Sequence, residues 1–205
     1  ALVRELGGDV LYAPEPENMY APDHATWVEV PALANTLCGL SRPIHFRGVC
    51  TVVLKLFMLA QPSLAVFGEK DWQQLAIIKK MVSDLNVPVE VVGRPIVREA
   101  DGLALSSRNV YLTPEERAQA PQIRKSLEMA AGLAAGGERD AARIIEAVRG
   151  YLAEHLPTGE EDYISIVDPA VLTKVDRIKD MALCALAIRL GKARLIDNIL
   201  LKVGE

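Results

Sequence analysis

Cysteine is scarce. Cys38, Cys50 and Cys184 are the three in 205 residues, odd in number and far apart. No pair of them has metal-ligand spacing, and reduced intracellular thiols are the simplest reading. Positive charge is not in excess: 23 Lys and Arg stand against 27 Asp and Glu, a net charge of −4. That excludes the basic footprint of a nucleic-acid partner. No apolar run approaches the length of a membrane-crossing helix, and no signal peptide is visible. The expected location is therefore the cytoplasm, with no membrane partner. Internal repeats and low-complexity tracts are also lacking. What remains is 50% apolar and 24% charged, a soluble globular composition. The length allows one large domain or two small ones. Ala1 to Gly8 reads as the last turns of a helix with a glycine stop, so the chain is expected to begin in mid-domain.

The informative stretch is Phe67-Gly68-Glu69-Lys70-Asp71-Trp72-Gln73-Gln74. Ser63 to Phe67 before it reads as a buried strand, and Leu75 to Val82 after it has apolar positions at helical spacing. Gly68 to Asp71 is then a strand-to-helix turn. Gly68 permits close approach of a ligand. Asp71 is a good N-cap, and first-turn N–H groups attract anions. Lys70 adds a cation on the same rim. The turn fits a phosphate or nucleotide site; an ordinary βα turn with a solvated lysine fits the same residues.

Along the rest of the chain, Asp9 to Ala13 and Thr26 to Val30 read as strands, with a proline loop from Pro14 to Pro22 between them. Pro31 to Leu40 reads as a short helix, Ser41 to Gly48 as a polar loop, Val49 to Ala60 as an apolar helix, and Val87 to Gly93 as the next strand. This alternation is that of a parallel α/β sheet. The pattern changes at Arg94 to Asn109, and a domain boundary is expected near Val97. Thr113-Pro114-Glu115-Glu116 is a helix start. Helices are expected over about 114–135 and 140–156 and a strand over 161–167. Residues 182–190 and 194–201 flank a Gly191-Lys192 turn and can pair as a hairpin, although the alanines and leucines of the first also fit a helix.

Four ordered segments carry a resemblance: Arg42 to Val49, Thr51 to Phe57, Phe67 to Leu75, and Val97 to Asn109. Together they resemble the pantothenate synthetase (pantoate–β-alanine ligase) family, over the whole length present. The resemblance implies an α/β fold. A Rossmann-like nucleotidyltransferase domain (1–96, its N-terminal part missing) is followed by a small α+β C-terminal domain (97–205) with a flexible Ser-Ser-Arg loop. It implies that ATP and pantoate form pantoyl adenylate and pyrophosphate, and that β-alanine then displaces AMP. Magnesium accompanies the ATP, and a homodimer is implied. The family's early His-x-Gly-His motif is absent, since His24, His45 and His155 sit in no such pattern. The expectation is that strands one and two of the sheet are missing with it, and that these residues alone make no pantothenate. An inactive fragment, or a nucleotide-binding or dimerisation module, is the alternative reading.

By the same resemblance Gly68, Glu69, Lys70 and Asp71 bind ATP, with Asp71 capping the helix, contacting the ribose, or both. Leu105, Ser106, Ser107 and Arg108 form the second ATP segment. Val97 contacts adenine through its backbone or is core. Lys70, Ser106, Ser107 and Arg108 are the expected catalytic group. Gln74 matches the family's pantoate-binding glutamine, while Gln73 points elsewhere. Arg42 and His45 lie near the acid substrate, and Val52 and Val53 form an apolar wall or plain core. No metal ligand is assigned. Lys55, His24 and His155 read as surface residues.

Overall fold

A computed structural model describes residues 2–204. Four one-turn helices lead the chain: α1 (Leu2–Glu5), α2 (Pro16–Met19), α3 (Pro31–Ala34) and α4 (Cys38–Ser41). Then come α5 (His45–Ala60), β1 (Leu64–Gly68), a 3-10 turn (Glu69–Asp71), α6 (Trp72–Asp84) and β2 (Glu90–Arg94). β1 and β2 are parallel, in register from Leu64 opposite Glu90 to Gly68 opposite Arg94, and α6 is their crossover. A second 3-10 turn (Ser107–Tyr111) precedes α7 (Pro114–Gln119), α8 (Gln122–Ala135) and α9 (Ala141–His155). β3 (Gly159–Val167), β4 (Met181–Leu190) and β5 (Ala193–Lys202) form an antiparallel sheet with β4 in the middle.

That sheet is a wall between two cores. Ala182, Cys184, Leu186, Ile188 and Leu190 pack with residues of α8 and α9 such as Leu127 and Ile144. Leu183 and Ala185, the alternate positions, pack with residues of α5 and α6 such as Phe57 and Ile78. The near-continuous apolar run of β4 follows from this two-sided burial. The second core therefore takes residues from both sides of Val97.

Several elements differ from expectation. Asp9–Ala13 forms no strand: Val10 and Leu11 are 83% and 71% exposed, and no strand lies beside it among the described residues. Thr26–Val30 keeps its alternation, with Val28 half-buried and Val30 buried. It makes no ladder, however; the Val28 N–H donates instead to Thr51 Oγ1 at 3.1 Å. β1 is not buried on both faces. Leu64 and Val66 are about half exposed, because only the opposite face, with Ala65 and Phe67, meets the second core. The expected loop at Ser41–Gly48 ends early, since α5 starts at His45. The expected helix over 114–135 is broken at Pro121, which has no N–H to continue α7. α6 ends where Asn86 turns left-handed, at φ 49°. His24 is half-buried rather than a surface residue, edge-on to Tyr20 and Trp27 at 5.0 and 5.1 Å. Lys55 is also half-buried, 5.5 Å from the Tyr20 ring centre.

The C-terminal half folds locally as its sequence dictates. Thr113 and Glu116 form a reciprocal capping box at α7. Leu190 pairs with Ala193, so Gly191-Lys192 is a two-residue hairpin turn. Gly191 sits at φ 54°, the first-position conformation such turns reserve for glycine. A Cβ there would collide with the Glu116 carboxylate, which is already held by the Thr113 N–H at 2.9 Å. Gly191→Ala is expected to cost about 1–2 kcal/mol through backbone strain and this clash. Urea unfolding followed by circular dichroism checks it, and an unchanged midpoint would refute it.

Candidate active site

The turn after β1 brings Lys70 and Asp71 into the lining of a cleft of about 380 Å³, while Gly68 and Glu69 lie outside that lining. Gly68 has φ −76°, and a Cβ there would meet nothing within 4 Å; no strained backbone requires the glycine, and the strand end stands open. Asp71 is the N-cap of α6 by position, yet its side chain makes no capping bond. The expected cap is therefore not made, and the carboxylate faces the cleft. Lys70 is half-buried there, its pKa lowered first by burial, with Arg108 adding to the shift and Asp71 opposing it. Glu69 turns away and lies over Gly93.

Gln73 and Gln74 diverge by the 100° step of a helix. Gln73 is buried: its amide donates to the carbonyls of Leu33 and Thr36 at 2.8 and 2.7 Å, and its oxygen accepts the Cys38 N–H at 3.0 Å. It fixes the segment leading to Arg42. Gln74 points into the cleft. Across from it stand Arg42 and His45 at the α4–α5 junction. Arg42 Nη1 lies 3.3 Å from His45 Nε2. A guanidinium can only donate, so Nε2 accepts and the neutral ring carries its proton on Nδ1. In keeping with this, the His45 pKa is lowered, first by burial and then by Arg42.

β5 supplies residues that the sequence did not single out. Arg194 donates to Asp162 Oδ2 at 3.0 and 2.6 Å and lies 3.5 Å from Cys38 Sγ. Burial works to raise the Asp162 pKa, but Arg194, with Ser41 and Arg189, opposes it and the net shift is downward. Asp197 takes both Arg98 nitrogens, at 2.7 and 2.9 Å. Asn198 holds the Lys70 turn through two carbonyls. The signal in the sequence was an adjacent Asp and Asn inside an apolar hairpin strand, since a buried polar group demands a partner.

The remaining expected residues are dispersed. Arg108 reaches the cleft, and Ser106 borders a small side pocket that it shares with Lys70. Ser107, Leu105 and Val97 are exposed outside it, the last two by 56% and 66%. The Val97 carbonyl accepts the Leu105 N–H at 2.9 Å. Val53 is buried in the second core and Val52 packs against it. The loop expected to be flexible is tied at its base. Asn109 Nδ2 donates to Glu99 Oε1 at 2.6 Å and to the Ala104 carbonyl at 3.2 Å. Arg117 bridges Glu99 and Asp101. Among the described residues no group of three His, Cys, Asp or Glu is placed to hold a metal ion.

Comparison with known proteins identifies the family. The model of the pantoate-beta-alanine ligase family matches residues 1–200. A pantothenate synthetase of Nitratidesulfovibrio vulgaris (strain Miyazaki F) is 65% identical over all of this chain and 72% of its own length. The crystal structure of the pantothenate synthetase from Thermus thermophilus is similar with a TM-score of 0.92 at 46% identity, covering 97% of this chain and 71% of that one. A pantoate-beta-alanine ligase from Francisella tularensis, complexed with beta-gamma ATP and beta-alanine, gives 0.73 at 30% identity, covering 97% and 67%.

The depressed His45 pKa has a sign that can be checked. A histidine that resists protonation in the folded state binds fewer protons than the unfolded chain. It takes nothing from stability well above the ordinary value of 6.5, and destabilises the fold as pH falls through the window below it. In NMR titration His45 is expected to have its midpoint below 6.5, and Arg42→Ala should move it upward without restoring the ordinary value, because burial remains. A midpoint at or above 6.5 in the parent chain would refute the geometry.

Proposed function

The chain belongs to the pantoate–β-alanine ligase family, and we propose that it joins pantoate to β-alanine through a pantoyl adenylate. A pantoate carboxylate oxygen attacks the α-phosphorus of ATP, and pyrophosphate leaves. The β-alanine nitrogen then attacks the acyl carbon, AMP leaves with the bonding oxygen, and the amine loses a proton. The observation that carries the reading is the convergence on one cleft of Lys70 and Gln74 from the Phe67–Gln74 stretch, Arg42 from the α4–α5 junction and Arg108 from the later loop. The relative solved with beta-gamma ATP and beta-alanine supports ATP as the nucleotide.

Each residue then has a role. By the family resemblance Gly68, Glu69, Lys70 and Asp71, with Val97, Leu105, Ser106, Ser107 and Arg108, are assigned to ATP. Of these Lys70, Asp71 and Arg108 line the cleft, Ser106 borders the side pocket beside Lys70, and the others would have to meet the nucleotide from outside the cleft. Lys70 meets charge that moves onto the phosphates as pantoate attacks; a group that acts on charge developing in the transition state raises the rate most. Arg108 supplies a planar set of donors. Gln74 offers a donor and an acceptor to the hydroxy acid, with Arg42 and neutral His45 beside it. Magnesium takes most of its ligands from phosphates and water. The carboxylate that fits it here is Asp71, which faces the cleft and makes no hydrogen bond among the described residues. Homodimerisation is carried over from the family resemblance, and a cytoplasmic location and a division of the chain near Val97 from the reading of the sequence.

Pyrophosphate exchange into ATP, followed on the complete gene product, tests the route. Exchange should require pantoate and not β-alanine; exchange that waits for β-alanine would rule out a free adenylate. Lys70→Ala should lower the exchange rate roughly 100–1000-fold while circular dichroism is unchanged. Gln74→Ala should weaken pantoate binding roughly tenfold, the worth of one or two hydrogen bonds, and leave ATP binding intact. Calorimetry with each ligand separately reads this, and equal losses for both would mean that α6 had moved.

A further inference from the structure

β5 reaches both halves of the cleft from two consecutive residues. Asp197 is opposite Leu186 and Asn198 opposite Ala185, so they project on opposite sides of the sheet, Asp197 on the α8–α9 side and Asn198 on the α5–α6 side. Both are buried, at 3% and 6% exposure. Asp197 grips Arg98, whose Nη1 also donates to the Gly102 carbonyl at 3.0 Å and whose backbone bridges Ala104. That is the base of the arm carrying Ser106 to Arg108. Asn198 Nδ2 donates to the Glu69 carbonyl at 2.9 Å and to the Lys70 carbonyl at 3.0 Å. These carbonyls belong to the two peptide units that flank the Lys70 Cα. Both acceptors are oxygens, so the amide nitrogen and not its oxygen must face them.

We propose that Asn198 is a positioning residue of the adenylation step. By pinning both peptide planes around Lys70 it fixes that residue's φ and ψ, and so the direction in which the ammonium enters the cleft. The proposal rests on the role given to Lys70 above. It requires the two hydrogens of a primary amide, which neither alanine nor aspartate supplies. Aspartate keeps the shape of asparagine but turns an acceptor toward two carbonyl oxygens.

The test is a double-mutant cycle on the complete gene product, read as pantoate-dependent pyrophosphate exchange. Asn198→Ala should lower the exchange rate about 10–100-fold, the scale of a small misplacement of a reacting group, with the KM for pantoate nearly unchanged. In the Lys70→Ala background the same substitution should cost no more than about twofold. Asn198→Asp, which preserves packing, should behave like the alanine variant and decides the matter if the latter does not fold. Exchange at the parent rate in Asn198→Ala or Asn198→Asp would overturn the proposal. So would an equal loss in both Lys70 backgrounds, which would mark a merely structural residue while leaving the Lys70 role intact. If Lys70→Ala alone were silent, the reading of Lys70 would fail first, and the proposal with it.

Discussion

The structure turns on β4 being buried on both faces. A strand with a core on either side leaves no room in its middle for a charge or an unpaired amide. Polar work is therefore displaced to β5, its neighbour, where Arg194, Asp197 and Asn198 stand between the two cores and the cleft. Asp197 and Asn198 are buried and Arg194 half-buried, so each must find a partner, and the partners are the pieces of the site: Asp162, Arg98 and the Lys70 turn. A buried pair such as Arg98–Asp197 adds little over apolar packing, but losing one partner leaves a charge without compensation. The arm from Val97 to Asn109 is thereby held to one register on β5.

The same commitments shape the field in the cleft. Arg194 is neutralised by Asp162, and Asp197 by Arg98. Arg42, Lys70 and Arg108 remain, with Asp71 the carboxylate among them. His45 and Lys70 are both shifted toward their neutral forms, chiefly by burial, and both feel neighbouring guanidinium groups that push the same way. A cleft in which cations hinder one another gains most from a polyanion, which relieves the repulsion as it binds.

What the sequence made legible was local. The strand–turn–helix around Lys70, the capping box at Thr113 and the Gly191 hairpin depend on neighbouring residues, and each formed at its expected place. The failures were of another kind. Asp9–Ala13 has the composition of a strand, but a strand exists only with a partner, and no pattern in the segment says whether one is present. Asp71 has the chemistry of a cap and does not cap. The roles of Asp197 and Asn198 depend on contacts with residues far away in the chain. Their one trace in the sequence was polarity where an apolar residue would have packed.

The uncapped start of α6 and the Asn198 contact are two sides of one arrangement. An N-cap aspartate that accepted a first-turn N–H would spend its carboxylate on the helix, and forgoing that bond costs about 1 kcal/mol. The turn is held from behind instead. In a trans peptide the C=O and N–H point in opposite directions. With the Glu69 and Lys70 carbonyls drawn toward β5, the N–H groups of Lys70 and Asp71 are directed away from it. One asparagine therefore orients two backbone donors together with the ammonium between them, which leaves the aspartate side chain to serve whatever enters the cleft.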